Sequence, residues 1–485
     1  MRSIAWLALL LPTSALALED EVFVLPVGQS TSTDVTQAVA IGRSNTIWTA
    51  SIINGTAENP YYLNSVSNAL GTKMVYTWFS NSLSIVRHGN LGVSAPRAFW
   101  CGQVTGTVTA MAADGDNIYL VGQFVGTAYL GTDTLTSGGS VDGFIARYNG
   151  ATGNVVWTQS LRGSGFDTLE DIALDSYGRP YVTGSFNGSA TLGGVSMTSA
   201  GGDDVVLAMI DPATGVPYWV RTDGGTGNET ALAMDLHDGN VYLGGRFTGT
   251  TSLAGSSHTS AGSTDGFVSK YTAAGANVRS ARLGGSSSDE VAGIAIGGVN
   301  EDVIIGGNFR GTTTIGSKSL TSAGNQDFFM AALTDGLVFL GPAHRGGGTG
   351  YDRITAVDAD VNIAYASGYR HRSGDWGRAT LEVPDVDGDG TSGGGYDAFV
   401  IGYKERIFPS AFSPTAAFVA GGSGTDQALD VAAGSSASMM EDLFVTAGVF
   451  HGDAEWPVVG DRINEWSAKS GGYDGFVWKY YRVGL

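Results

Sequence analysis

The chain has 485 residues, with 46 acidic and 26 basic side chains and a formal charge of −20. So acidic a surface offers no basic face for nucleic acid. Glycine, at 74 residues, is about twice as frequent as usual, yet hydrophobic residues hold 42%, which excludes a disordered composition and implies a folded chain with many tight turns.

The first residues, MRSIAWLALLLPTSALALED, read as a secretory signal over residues 1–17. Arg2 gives the positive start, Ile4 to Leu11 the apolar run, and Ala15-Leu16-Ala17 the small-x-small cleavage site. The mature protein, residues 18–485, is then expected to be secreted, extracellular or at the cell surface, or periplasmic in a Gram-negative cell. No later segment approaches the ~20 apolar residues of a membrane helix, so no membrane span is expected. The only cysteine is Cys101, so no intrachain disulfide can form; its setting AFWCGQ reads as a half-buried strand, with pairing to a partner chain as the alternative.

After the signal comes EVFVLPV, from Glu21 to Val27, a strand-like segment with no companion beside it. From Asp34 onward the chain repeats itself. One motif reads DGFIARY at Asp142, DDVVLAM at Asp203, DGFVSKY at Asp265, DFFMAAL at Asp327, DAFVIGY at Asp397 and DGFVWKY at Asp474. Another precedes each copy, from GQFVGTAYL at Gly122 to GVFHGDAEW at Gly448, and a weaker copy of the whole unit precedes Asp142. Within residues 167–227, DTLEDIALD, RPYVTGSF, DDVVLAMI and VPYWVRT predict four short strands, A to D, bounded by Gly, Asn, Asp and Pro. In DPATG, between C and D, Pro presets φ and Gly permits a positive φ.

Four strands at a period near 60 residues predict an all-β fold, a single seven-bladed β-propeller of four-stranded antiparallel blades. The blades fall at about 34–106, 107–165, 166–227, 228–287, 288–349, 350–424 and 425–485. The last has A, B and C but no D. Glu21 to Val27, followed by a Gly/Ser/Thr stretch, has the form of the missing strand, so residues 21–32 are expected to complete the last blade and close the ring. With IALDSYGRPYVTGSF and DDVVLAMIDPATGVPYW as its clearest stretches, the chain resembles the SBBP-repeat family of exported seven-bladed propellers. That resemblance implies fold and export, and little about activity.

The repeated Asp reads as a turn cap that bonds backbone N–H groups, and the repeated Gly after strand B as a bend or bulge. Function is expected where the repeat breaks. The B–C connections of repeats one, six and seven run to about 28, 28 and 25 residues, against about 19 elsewhere. In the sixth, DVDGDGT sets Asp385, Asp387 and Asp389 at alternate positions with Thr391 behind a Gly, the pattern of a Ca²⁺ loop, although Tyr396 stands where the pattern wants a closing acid. Around it lie Arg370, His371, Asp375 and Trp376, and in the seventh repeat His451, Asp453, Glu455, Trp456 and Trp466. Tryptophan beside acids and Arg suits stacking on a sugar face, and packing of both Trp at blade ends is the alternative. Catalytic signatures are missing: there is no HExxH and no nucleophile elbow. NGATGNVVW and DPATGVPYW resemble a turn-plus-Trp motif of quinone-dependent propeller dehydrogenases, and read as hairpins with a packed Trp.

These features predict a non-enzymatic binding or adhesion module that presents the sector of repeats six, seven and one to a glycan or surface protein, with Ca²⁺ ordering one loop. The alternatives are a self-assembling structural subunit of an extracellular layer, matrix or appendage, and a polysaccharide lyase or hydrolase.

Overall fold

The computed structural model describes residues 21–27, 35–41, 47–53, 56–58, 75–77, 82–88, 97–297, 300–360, 363–371, 374–375, 395–404, 413–422, 425–435, 441–451, 453–456, 464–467 and 473–483. All regular elements among them are β-strands. No helix among them is long and apolar enough to cross a membrane.

The third repeat shows the unit. Its A strand Thr168–Leu174 pairs antiparallel with B, Pro180–Leu192, which pairs with C, Val195–Ile210, which pairs with D, Pro217–Gly225. The turn residues act as their chemistry requires. In DPATG, Gly215 has φ 76° and its N–H bonds Asp211 O at 2.8 Å, while the Asp211 carboxylate accepts the Ala213 N–H. The same A–B–C–D order recurs in the fourth repeat (Glu229–His237, Asn240–Phe247, Asp265–Thr272, Asn277–Gly285) and in the sixth (Arg353–Ala359, Ile363–Arg370, Asp397–Lys404, Ser413–Gly422). At the end of the chain Gln427–Ser435 pairs with Glu441–His451, which pairs with Tyr473–Val483. The fourth member of that sheet is Glu21–Val27, with Glu21 opposite Tyr481 and Val27 opposite Gly475. Pro26, which has no N–H to give, is tolerated there because the strand lies at a sheet edge.

Each A strand slips register once opposite its B strand, between Leu169 and Asp171, Ala231 and Ala233, and Val291 and Gly293. The glycine after strand B lies against this bulge. A Cβ on Gly245 would sit 2.1 Å from the Thr230 carbonyl oxygen, and the same holds at Gly184, Gly307 and Gly368 within 0.1 Å. The repeated glycine is therefore a close-approach requirement. Two residues on, Phe124, Phe186, Phe247 and Phe309 are wholly buried between neighbouring sheets.

Register also corrects one position. Asp142 opposes Phe124 and Asp265 opposes Phe247, but in the third repeat Phe186 opposes Asp204. The repeated Asp there is Asp204, and the motif begins one residue later than Asp203. These aspartates are buried, and each accepts the N–H four residues upstream, at 2.9 Å for Ala200 to Asp204, Ala261 to Asp265 and Ala323 to Asp327. The turn-capping reading is what the geometry shows.

The B–C connections hold more structure than plain loops. In the fourth repeat Thr250–Leu253 and Ser256–Thr259 form a hairpin that reaches the D strand of the preceding repeat, with Ser252 opposite Gly224. The hairpin of the fifth repeat, Thr312–Ile315 with Lys318–Thr321, does the same to Gly284. Covering the end of each D strand blunts an exposed edge. The turn tryptophans bridge as well: the Trp157 indole N–H donates to Pro212 O at 2.9 Å, and its ring fills the space beside Gly215, while Trp219 does so beside Gly275.

Gly245→Ala should lower stability by about 1–3 kcal/mol, because the added methyl must displace backbone. A urea unfolding midpoint equal to that of the unaltered protein would show that the bulge yields freely.

Candidate functional site

The A strands of successive repeats converge on a cavity of about 380 Å³, lined by residues 39–41, 109–113, 170–174, 232–235, 292–294, 355–358 and 429–433. Its wall is mostly small aliphatic side chains and backbone, punctuated by carboxylates. Four of its five carboxylates, all but Glu170, reach the A strand of the next repeat. Asp171 accepts the Met234 N–H at 2.6 Å, Asp235 the Ile296 N–H at 2.6 Å, and Asp358 the Ala433 N–H at 2.8 Å. Asp430 accepts the Val39 N–H at 2.9 Å and so joins the last A strand to the first. The second oxygen of each accepts the N–H of the following residue, Ile172, Leu236, Ala359 and Val431. Other side chains carry the same link elsewhere. Gln37 accepts from Val108 N, and the hydroxyls of Thr109 and Thr355 donate to Leu169 O and Ala428 O.

Burial raises all four acids against the bonds that favour their anions. Asp171 lies well above its ordinary value, Asp235 is pushed up to about 6, and Asp358 and Asp430 to about 7. With both oxygens bonded to backbone, these four acids act as clamps between successive A strands.

A different site lies at the root of the sixth repeat's long connection. Tyr351 and Tyr369 stack with ring centroids 6.4 Å apart and planes 14° from parallel. Tyr396 meets Tyr369 edge-on at 5.1 Å, and the His371 ring meets Tyr396 at 5.3 Å. The Arg310 guanidinium lies 5.6 Å from the centre of the Tyr351 ring. The four rings are half-buried and Arg310 is exposed. Register shows how unusual this is. The position of Tyr369 is Gln123, Ser185, Arg246 and Asn308 in repeats two to five and Val449 in the seventh; that of Tyr396 is Val141, Asp203, Thr264 and Gln326, and Tyr473 in the seventh. Sequence reasoning passed over these tyrosines, noting Tyr396 only as a gap in the Ca²⁺ pattern. Comparing repeats position by position would have found them.

The predicted site residues divide. Arg370 stands where other repeats have the buried Phe and faces Asp397 at 3.7 Å, so its charge is engaged within the sheet. The His371 ring joins the tyrosine cluster, and its backbone N–H donates to the Asp352 carboxylate at 2.9 Å. Asp375 pairs through its backbone with Gly347. In the seventh repeat His451 lies opposite Tyr473, and a hairpin sets Asp453 opposite Ser467, Trp466 opposite Ala454 and Glu455 opposite Glu465. Trp456 is in register with Leu253 and Ile315, both wholly buried. Trp376, Asp385, Asp387, Asp389 and Thr391 lie outside the described residues. Cys101 is in the strand Arg97–Gln103, at a register irregularity between Gly102 and Trp100.

No protein-family model matches the chain, and no curated protein matches it. Among solved structures it is similar to the Dos1 propeller, at 10% identity over 95% of each chain with a TM-score of 0.39. It is similar also to the quinohemoprotein alcohol dehydrogenase of Comamonas testosteroni, at 9% identity over 96% of this chain and 77% of that one, with a TM-score of 0.44. The xylan β-1,4-xylosidase of Bacillus halodurans C-125 follows at 8% identity over 95% of this chain and 100% of that one, with a TM-score of 0.27.

The clamps have a pH signature. The folded state holds protons on Asp235, Asp358 and Asp430 that an unfolded chain releases near 3.8. Their stabilisation is complete below about pH 4 and is lost as pH rises through about 6 to 7. Replacing Asp358 and Asp430 together by Asn should flatten the fall in Tm between pH 5 and 8. A slope as steep as that of the unaltered protein would contradict these raised values.

Proposed function

We propose that the protein is a seven-bladed β-propeller of the SBBP-repeat type, exported from the cytoplasm and closed by Glu21–Val27 as the last strand of the last blade. In this reading it acts as a binding module without catalysis of its own, holding a glycan or a surface protein at the tyrosine cluster of the sixth repeat. The observation that carries the reading is the clustering of Tyr351, Tyr369 and Tyr396 with His371 and Arg310 into one aromatic surface, with Tyr369 at a position that is polar in repeats two to five. Aromatic rings beside a cation and hydroxyl-bearing groups suit the apolar faces and hydroxyls of sugars. The long connection that leaves Arg370 and returns at Tyr396 would rise beside this surface. Ca²⁺ held by Asp385, Asp387, Asp389 and Thr391 would order it, and the seventh-repeat residues His451, Asp453, Glu455, Trp456 and Trp466 would extend the same face.

Tyr369→Ala and Tyr396→Ala should each weaken retention on the glycan or surface protein selected by an array screen by about tenfold, with Tm little changed. Retention equal to that of the unaltered chain in both variants would remove the cluster from the binding surface.

A further inference from the structure

A second family of buried acids lies between the repeats, away from both the axial cavity and the tyrosine cluster. At the junction of the third and fourth repeats Asp204 lies within strand C and Glu229 opens the next strand A; their exposures are 4% and 0%. Each spends one oxygen on the N–H four residues upstream, Asp204 on Ala200 and Glu229 on Gly225. Of the other two oxygens, Asp204 Oδ1 is buried with no hydrogen-bond partner, and Glu229 has the Thr251 hydroxyl beside it. That hydroxyl, on a residue 2% exposed, reaches the junction because the hairpin of the fourth repeat pairs with Gly225. There is no room for a side chain beside them: a Cβ on Gly224 would lie 2.3 Å from Asp204 Oδ1.

One repeat on, Asp265, Asp289 and Thr313 reproduce the arrangement, with Asp265 Oδ1 again buried and unpartnered and the Thr313 hydroxyl beside Asp289. That junction carries its own counter-charge, for Arg282, opposite Phe267 on strand D, is bonded to Asp265. At the next, Arg345, opposite Phe329, lies 3.3 Å from Asp327. In the third repeat the corresponding residue, opposite Val206, is Thr222. The charges that act on Asp204 are Asp203 and Asp223, and those on Glu229 are Asp204 and Asp203; all are negative. Two carboxylates buried together with no cation are costly, and such pairs are normally neutralised by a positive partner.

We propose that the junction of the third and fourth repeats is a binding site for a hard divalent cation of the Ca²⁺ class, held by Asp204, Glu229 and Thr251 in place of the arginine that the following junctions supply. The donor set is oxygen only, which suits Ca²⁺, and backbone carbonyls and water complete the coordination that such an ion takes. The ion binds the folded chain alone, so it adds stability by mass action.

The test uses the full mature chain carrying Asp385→Asn, Asp387→Asn and Asp389→Asn, so that the long sixth-repeat connection contributes no Ca²⁺ signal. Ca²⁺ titration by calorimetry should show binding at one site, and Tm should rise by several degrees in Ca²⁺ relative to chelator. Thr222→Arg, added to this chain, should raise Tm in chelator and weaken Ca²⁺ binding at least tenfold, as the guanidinium takes the ion's place. Asp204→Asn should abolish the calorimetric signal. Because Asp204 also caps the turn at Ala200, Thr222→Arg decides: undiminished Ca²⁺ binding in that variant overturns the assignment. Absence of any Ca²⁺ binding or thermal effect in the parent chain overturns it too, and leaves the two carboxyls sharing a proton.

Discussion

A carboxylate on one inner strand holding the backbone N–H of the next is the interaction on which the rest of the structure depends. An inner strand is edge-like: its B neighbour satisfies one side, and the other side faces the axis. Asp171, Asp235, Asp358 and Asp430 turn that open side into a link between repeats. Because each acid bonds both its own strand and the neighbour, it fixes the spacing and the height of adjacent sheets together. The cost is desolvation, which outweighs the two backbone bonds each acid accepts and so raises all four. Farther out, the B–C hairpins pair with the preceding D strand, and the tryptophans of the C–D turns dock on the next repeat's turn glycine. Three radii of contact thus hold successive sheets without a disulfide.

This explains why the chain is so acidic and so rich in glycine. Many of its acids are structural acceptors for backbone N–H groups, placed where strands begin or where repeats meet. Many of its glycines stand where a carbonyl or a carboxylate approaches too closely for a Cβ. The repeat supplies a scaffold, and its few departures are the places to look for specific chemistry. Tyr369 stands where repeats two to five have polar residues, Arg370 replaces a buried Phe, and Thr222 stands where the fourth and fifth repeats have arginine.

Strand order within each repeat was legible because it depends on local signals: alternating apolar residues, Asp-opened strands and Gly-bearing turns. The pairing of Glu21–Val27 with the last sheet was legible too, since a missing strand D and an orphan strand match in pattern. What escaped reading was contact between repeats. The clamp acids sit at two different positions along the A strand, Asp171 and Asp430 at one and Asp235 and Asp358 two residues on, so no period reveals them. The hairpin beyond strand B is short and polar and resembles a loop until its partner strand is known. Asp203 and Asp204 are adjacent acids, and only register distinguishes them. The tyrosine cluster draws Tyr351, Tyr369 and Tyr396 from three segments, which sequence spacing cannot assemble.

The most direct test of the clamp account is amide hydrogen exchange on the full mature chain and on Asp430→Ala. The account predicts that Val39 loses protection, and that Val35–Ile41 and Gln427–Ser435 exchange faster as a pair while the strands of the third and fourth repeats keep their protection. Unchanged protection at Val39 in the variant would contradict it.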